Sequence, residues 1–426
     1  MKKYLLLLLC ALLAFADAYS QNEVSGIYAG GHIRRGRPGT ITKLRNSGFT
    51  YLILFNVNVE TDGTLTTDGE TICKDGAYVF DQTQPHYVDD VKALKAWPTS
   101  IQRIEICIGG WGNESYTHIR DLVQRDGTGE HTILYRNFKA LKTVLPEIDA
   151  VNNDDEHCYD VTTAAAFHAM MHRLGYLTTV APYTNKTFWT DFVATLHRQQ
   201  PGSCDRVLVQ CYDGGANNRP ADWQLGDASL HAGRTNYQSD LSTSIAQMQQ
   251  WHDEAGVVGG FVWVYNDETW NLNQWAAAIN RVFQPHATSD GVVTLYSENN
   301  YGGYAVALPC GSYATGELAL WGIADKDIAS FRLQTGYRLT GYADSDLTGA
   351  SHEWTDSQLP RMSAWANRIS SLKIEKIPTD GLPSVEADSP GVPVYFDLQG
   401  RRLHERPVSG WYLEKLNATV RKHISQ

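Results

Sequence analysis

The sequence predicts an α/β chain: a (β/α)8 barrel over residues 21–288, an all-β Greek-key unit over 289–378 and a linker with a short β-rich tail over 379–426. Strand-like and helix-like apolar runs alternate from Glu23 to about Gln284. That is the pattern of parallel strands joined by crossover helices. After Pro285 the spacing becomes strand-like, with many glycine turns and no long helix. A motif also recurs there: Tyr296…Tyr301-Gly-Gly303 returns as Tyr342…Leu347-Thr-Gly349, as paired Greek keys would. Pro378-Thr-Asp-Gly-Leu-Pro383 through Pro390 has a linker's composition, and short strand runs follow around Tyr395–Arg402 and Gly410–Tyr412.

The elements follow in order. Gly26–Ala29 is the first strand and Tyr51–Asn56 the second. A loop with Asp62-Gly63 and Asp75-Gly76 turns comes next. Val88, Val91 and Leu94 then recur at helical spacing. Ile104–Ile108 is the third strand and runs into Gly109-Gly110. The region 115–145 is helical in two pieces, and Ile148–Asp154 is the fourth strand. A helix over 160–174 leads to the fifth strand, Leu177–Ala181, and a helix over 186–199 to the sixth, Arg206–Tyr212. The seventh, Ala228–Gly233, has the weakest pattern; a helix over 240–254 precedes the eighth, Gly259–Val264, and a last helix covers 272–283. A doubly wound open sheet is the alternative, but Gly30-Gly31 lacks the glycine spacing of a phosphate-binding turn.

The formal net charge of -11, with no Lys/Arg-rich run, argues against a nucleic-acid partner. Residues 1–20 read as a signal peptide: Lys2-Lys3, a short apolar core, then small residues at Ala16, Ala18 and Ser20. The expected mature protein is exported, either secreted or held at the cell surface, with no transmembrane segment. Cys73, Cys107, Cys158, Cys204, Cys211 and Cys310 permit disulfides without revealing a pairing. No His-Glu-x-x-His spacing occurs, and no catalytic metal is expected.

The stretch Ile148-Asp-Ala-Val-Asn-Asn-Asp-Asp-Glu156 opens apolar and ends in three acids. Alternation along a strand puts Asn152, Asp154 and Glu156 on one face, with neighbours about 6.6 Å apart. Two carboxyls so close cannot both ionise cheaply, so one stays protonated. A proton donor beside an anion is what cleavage of a glycosidic bond requires. A solvated acidic loop or part of a cation site is the plainer reading of the run alone.

Four separated motifs together resemble the family 18 glycoside hydrolases, the chitinases and endo-β-N-acetylglucosaminidases. The family's Asp-x-x-Asp-x-Asp-x-Glu stands here as Asp149-Ala-Val-Asn152-Asn-Asp154-Asp-Glu156. Its Ser-x-Gly-Gly stands as Cys107-Ile-Gly109-Gly110, followed by Trp111. Its Met-x-Tyr-Asp stands as Gln210-Cys-Tyr212-Asp213, and its strand-eight Trp matches Trp263. The resemblance implies a retaining, substrate-assisted hydrolase of β-1,4 bonds next to N-acetylglucosamine, in chitin fragments or the chitobiose core of N-glycans. Glu156 would be the acid and then the base. Asp154 would hold the substrate's 2-acetamido group, and Tyr212 would donate to its oxygen. Asn152 and Asp213 would support them. Trp263 would form the sugar's floor, with Trp111, Gln210, Gly109 and Gly110 as further contacts. Taken singly, Tyr212 and Trp263 would read as core aromatics, and Gly109-Gly110 as a close backbone contact.

Asn152 departs from the family's Asp and cannot carry charge or share a proton with Asp154. It implies an altered pH profile and a slower enzyme, and it keeps a second reading open: a chitinase-like protein that binds such glycans without cutting them. Residues 291–378 resemble the βγ-crystallin fold. The runs Asp325-Lys-Asp-Ile-Ala-Ser330 and Ala366-Asn-Arg-Ile-Ser-Ser371 match that fold's calcium pattern less one ligand each, and Lys326 and Arg368 oppose a cation. No cofactor is therefore expected, calcium included. The tail at 391–426 resembles C-terminal sorting tails of exported bacterial proteins.

Overall fold

The structure is a computed structural model that describes residues 23–265, 271–284, 291–378, 394–396, 402–403, 405–407, 410–416 and 419–425. The signal-peptide reading over 1–20, the boundary at 288/289 and the linker from 379 to 390 lie outside the described residues.

Eight parallel strands close into a barrel: β1 Ser25–Ala29, β2 Tyr51–Leu54, β3 Arg103–Gly109, β4 Ile148–Asp154, β5 Leu177–Val180, β6 Cys204–Gln210, β7 Ser229–Thr235 and β8 Gly259–Tyr265. Each strand pairs with its sequence neighbours, and β8 closes on β1. The strands are buried on both faces, so they read as apolar runs rather than alternations. Outward side chains such as Ile27, Ile104, Val151 and Val209 pack under the helices. Inward ones such as Tyr28, Tyr51, Cys107, Leu208 and Phe261 fill the barrel.

Helices α1 Gly39–Arg45, α2 Tyr87–Lys95, α3 Ser115–Asp126, α4 Ile133–Val144, α5 Val161–Arg173, α6 Lys186–Gln199, α7 Leu241–Ala255 and α8 Leu272–Phe283 pack around it. Asp160 and Asp240 start α5 and α7 by accepting the backbone N–H of Thr163 and Thr243. Between β6 and β7 there is no α-helix, only 3-10 turns at Asp213–Gly215 and Pro220–Trp223. The Gly-Gly, Asn-Asn and Pro residues of that stretch explain why.

The loop expected around Asp62 and Asp75 is instead a small antiparallel sheet of Asn58–Val59, Leu65–Thr67, Glu70–Lys74 and Ala77–Tyr78. Asp68-Gly69 and Asp75-Gly76 both have positive φ at each residue, the geometry of two-residue hairpin turns. Strands of two to five residues are too short to show a period, so only the turns at Asp62-Gly63 and Asp75-Gly76 were legible, and Asp68-Gly69 was not.

The following region forms two four-stranded antiparallel sheets. One orders β10 Ala305–Leu308, β9 Val293–Tyr296, β12 Ser330–Leu333 and β15 Gln358–Leu359. The other orders β11 Gly311–Tyr313, β16 Ser371–Lys376, β13 Tyr337–Tyr342 and β14 Ser351–Trp354. Each half of the repeat lends one strand to the other's sheet. The repeat also holds in detail. Tyr301 and Leu347 share a left-handed backbone, as do Gly303 and Gly349. Ser330 accepts Tyr301 N–H and donates to the Glu298 carbonyl. Ser371 does the same for Leu347 N–H and the Asp344 carbonyl.

The chain divides into two compact units, and the first, ending at Glu375, holds the barrel and the Greek-key region together. The contact between them is specific. Asn280 on α8 is fully buried and donates to the carbonyls of Gly48 and Ala319, each at 2.9 Å. A Cβ on Gly48 would lie 2.3 Å from that of Ala319, so the approach requires glycine. The second unit runs from Lys376 to Gln426. It is a four-stranded antiparallel sheet of Val394–Phe396, Arg402–Leu403, Gly410–Leu416 and Thr419–Ser425.

Candidate active site

The acids emerge where β4 ends. Asn152 and Asp154 point into the barrel, and Glu156 stands two residues beyond the last paired position. The turn that carries Glu156 is built by Asp155. Its buried carboxylate accepts the backbone N–H of His157, Cys158 and Tyr159 at 3.0, 2.8 and 2.8 Å. Glu156 is thus held over the barrel mouth by its neighbour in sequence.

A cavity of about 600 Å³ opens there. Asp154, Glu156 and Gln210 form a polar wall, with Tyr183 and Tyr212 beside them. Phe55, Tyr28 and Trp263 supply an aromatic side. Trp263 meets Phe55 edge-on at 4.8 Å between ring centres and Tyr28 at 5.3 Å, which locks its orientation. Gly110, Trp111, Asp213 and Gly214 complete the lining. Trp111 is 91 % exposed and free to meet a ligand.

Gln210 is the bridge. Its amide donates to Asp154 Oδ1 at 2.9 Å and to the Ala181 carbonyl at 2.8 Å. The Cys107 thiol faces Asp154 Oδ2 at 3.9 Å. Gly110 donates its N–H to the Asp154 carbonyl at 2.7 Å. A Cβ on Gly109 would sit 2.1 Å from that same carbonyl. Gly109 therefore serves the β3–β4 approach and lies outside the cavity lining, whereas Gly110 does line it. Asn152 also lies below the cavity. Asp213 is a rim tie: its carboxylate accepts from the Tyr237 hydroxyl at 2.7 Å and from Gln238, both on the loop after β7.

Burial pushes Asp154 well above the usual carboxylate range, and the charges of Glu156 and Asp155 push it further, with Gln210 opposing. Burial also raises Glu156, less strongly, against hydrogen bonds from Gln210, Tyr183 and Asp154. The pair therefore keeps a proton that free carboxyls would have lost. The sequence reading placed that proton on Glu156 beside an anionic Asp154. Burial favours the proton on Asp154, which is only 4 % exposed while Glu156 is half-buried. Burial likewise keeps the Tyr212 hydroxyl protonated, and so a donor.

Tyr28, Phe55, Tyr183, Gly214 and Asp155 were not singled out from sequence. Tyr28 and Phe55 lie near the C-terminal ends of β1 and β2, and counting inward-facing positions there would have found them. Tyr183 sits past the end of β5, beyond the reach of strand alternation. No cluster of three metal-ligating side chains occurs among the described residues, and none of their helices is long and apolar enough to cross a membrane.

Fold and site together define a mixed α/β molecule: a closed parallel barrel with an acid-walled, aromatic-floored mouth, joined to antiparallel Greek-key sheets. No family model matches the chain, and no curated protein does. Solved βγ-crystallin domains do. One from Flavobacterium johnsoniae is 30% identical over 21% of this chain and 98% of its own length, with a TM-score of 0.20. A single-residue variant of one from Clostridium beijerinckii is 30% identical over 20% of this chain and 95% of its own, with a TM-score of 0.19. The N-terminal domain of protein S is 24% identical over 20% and 97%, with a TM-score of 0.20. These matches fall on about a fifth of this chain and leave the barrel unaddressed.

Proposed function

We propose that the barrel is a retaining glycoside hydrolase of the family 18 type, cutting β-1,4 bonds next to N-acetylglucosamine in an exported protein. One observation carries this reading: the carboxyls of Asp154 and Glu156 both line the wall of a cavity that has Trp263 on its aromatic side.

A sugar stacked on Trp263 presents its 2-acetamido group to Asp154 and Tyr212. The acetamido N–H favours the anionic form of Asp154, which returns its proton to Glu156. Glu156 then protonates the glycosidic oxygen as the acetamido oxygen attacks the anomeric carbon. Tyr212 donates to that oxygen, and the Asp154 charge stabilises the cationic intermediate. Glu156, now ionised, takes a proton from the water that opens the intermediate, so configuration is retained.

Wild type and Glu156→Gln are incubated with chitin oligosaccharides and with a high-mannose glycoprotein. Release by wild type alone is the expected outcome. Asn152 keeps open the second reading, a glycan-binding protein without turnover; binding by both forms with release by neither would establish that one instead.

A further inference from the structure

Beneath the acid pair, a row of hydrogen bonds runs down the barrel interior. The Tyr28 hydroxyl donates to Asn152 Oδ1 at 2.9 Å. Asn152 Nδ2 donates to Thr179 Oγ1 at 2.9 Å, and the Thr179 hydroxyl donates to Glu105 Oε2 at 2.5 Å. Glu105 is fully buried and meets Arg103 at 2.7 Å and Arg206 at 3.8 Å, so it stands there as an anion. Both arginines also reach Glu23 near the opposite end of the barrel.

The direction of this row is forced. An ionised carboxylate only accepts, so Glu105 takes the single Thr179 proton. Thr179 can then only accept from position 152. Tyr28 spends its one proton on the same residue. Position 152 must therefore accept on one side and donate on the other. A carboxamide does both; an ionised carboxylate cannot donate. The titratable and charged groups around the position give it no relief. Asp154 lies on its own strand. Cys107 and Glu105 face it from β3, and Tyr28 from β1. Thr179 is the β5 neighbour, Gln210 and Tyr212 come from the end of β6, and both arginines lie beyond Glu105.

We infer that Asn152 is a positioning residue that stands permanently for a protonated carboxyl, sealing the barrel floor so that Asp154 and Glu156 exchange their proton only with each other. As a statement about catalysis this rests on the hydrolase reading; as a statement about the row of hydrogen bonds it does not. It also recasts the departure from Asp as the retention of one protonation state of Asp.

The test is Asn152→Asp, read first without substrate by thermal denaturation between about pH 4 and pH 8. The introduced carboxyl must keep its proton to satisfy Thr179, so its folded-state pKa lies above the unfolded value of about 3.9. Its stabilising contribution is complete below that value and is lost as pH rises through the folded pKa. The Tm deficit against wild type is expected to be small near pH 4 and to widen by at least about 4 °C by pH 8. Asn152→Leu, which cannot titrate, is expected to show a deficit that does not change with pH. A deficit in Asn152→Asp that is equally flat overturns the inference. Should Asn152→Asp unfold at neutral pH, refolding on acidification supports the inference and failure to refold at pH 4 overturns it. In sugar release, the ratio of variant to wild-type rate is expected to fall as pH rises. If wild type itself releases no sugar, the hydrolase reading fails, and the substrate-free Tm series still decides this inference.

Discussion

A carboxyl that keeps its proton because it is buried resists ionisation, and it weakens the fold when pH forces the proton off. Asp154 is such a group, since burial raises its pKa first and the neighbouring acids raise it further. Its contribution is complete below the unfolded pKa and lost as pH rises through the folded one. Asp154→Asn, which keeps an acceptor for Gln210, is therefore expected to stabilise the protein at pH 8 and to leave it unchanged near pH 3. The gain is about 1.4 kcal/mol for each unit by which the pKa is raised. Chemical denaturation at the two pH values measures it; an equal effect at both would contradict the assignment. The same substitution should abolish sugar release, since the acetamido group loses its anionic partner. Glu156→Gln should lower release by about 10²-fold or more. Asp154, Glu156, Gln210, Tyr212 and Trp263 were all legible in sequence because each lies at or just beyond the end of a strand. Which of the two acids holds the proton was not, since that depends on how deeply each is buried.

At the scale of elements, the turn after β4 is held by one side chain. Asp155 accepts three backbone N–H groups, and its removal frees all three in a half-buried turn. Asp155→Ala is expected to cost roughly 2–4 kcal/mol in urea denaturation and to lower activity as Glu156 loses its seat. A cost below about 0.5 kcal/mol would mean that the turn stands without it. The Greek-key repeat makes a paired prediction. Ser330 and Ser371 each pin a hairpin through the same two bonds. Ser330→Ala and Ser371→Ala should cost similar amounts, roughly 1–3 kcal/mol each. Their hydroxyls donate to backbone carbonyls, and Lys326 and Arg368 lie in the two runs that would hold a cation. Calcium at about millimolar concentration should therefore leave the Tm unchanged, whereas a rise would show that the ligand set is sufficient. The repeat was visible in sequence as spaced glycines and aromatics. The exchange of strands between its halves was not, because pairing partners are set by distant residues.

The barrel joins the Greek-key region through polar side chains of α8: Asn280, Asn273, which accepts the Asp325 N–H, and Arg281, which donates to the Gly322 carbonyl. Ala277, Ala319 and Ala324 keep the two surfaces close, and the Arg281 guanidinium lies 4.0 Å over the Tyr304 ring. Asn280 ties both sides through two carbonyls. The two regions are expected to melt in one calorimetric transition. Asn280→Ala leaves the carbonyls of Gly48 and Ala319 without their donor, at a cost of roughly 1–3 kcal/mol, and should lower or split that transition. A wild type that already melts in two steps would show that the contact does not couple the regions. The composition change after Pro285 marked the boundary, yet nothing local announced the contact. Asn273, Asn280 and Arg281 read only as polar residues on a helix.

Periodicity and order along the chain were enough to predict eight barrel strands (though not the missing helix between β6 and β7), the change to antiparallel sheets, and a strand that ends in acids with a glycine pair and two aromatics at other strand ends. These are local properties, written by which side chains a strand or helix can bury. Closure of the barrel decided the rest. It brought Phe55, Tyr28 and Trp263 against a wall of acids, buried Asp154 more deeply than Glu156, and placed Thr179 and an anionic Glu105 under Asn152. Proton positions and hydrogen-bond direction depend on the distance and solvent access of groups remote in sequence, and only packing sets those.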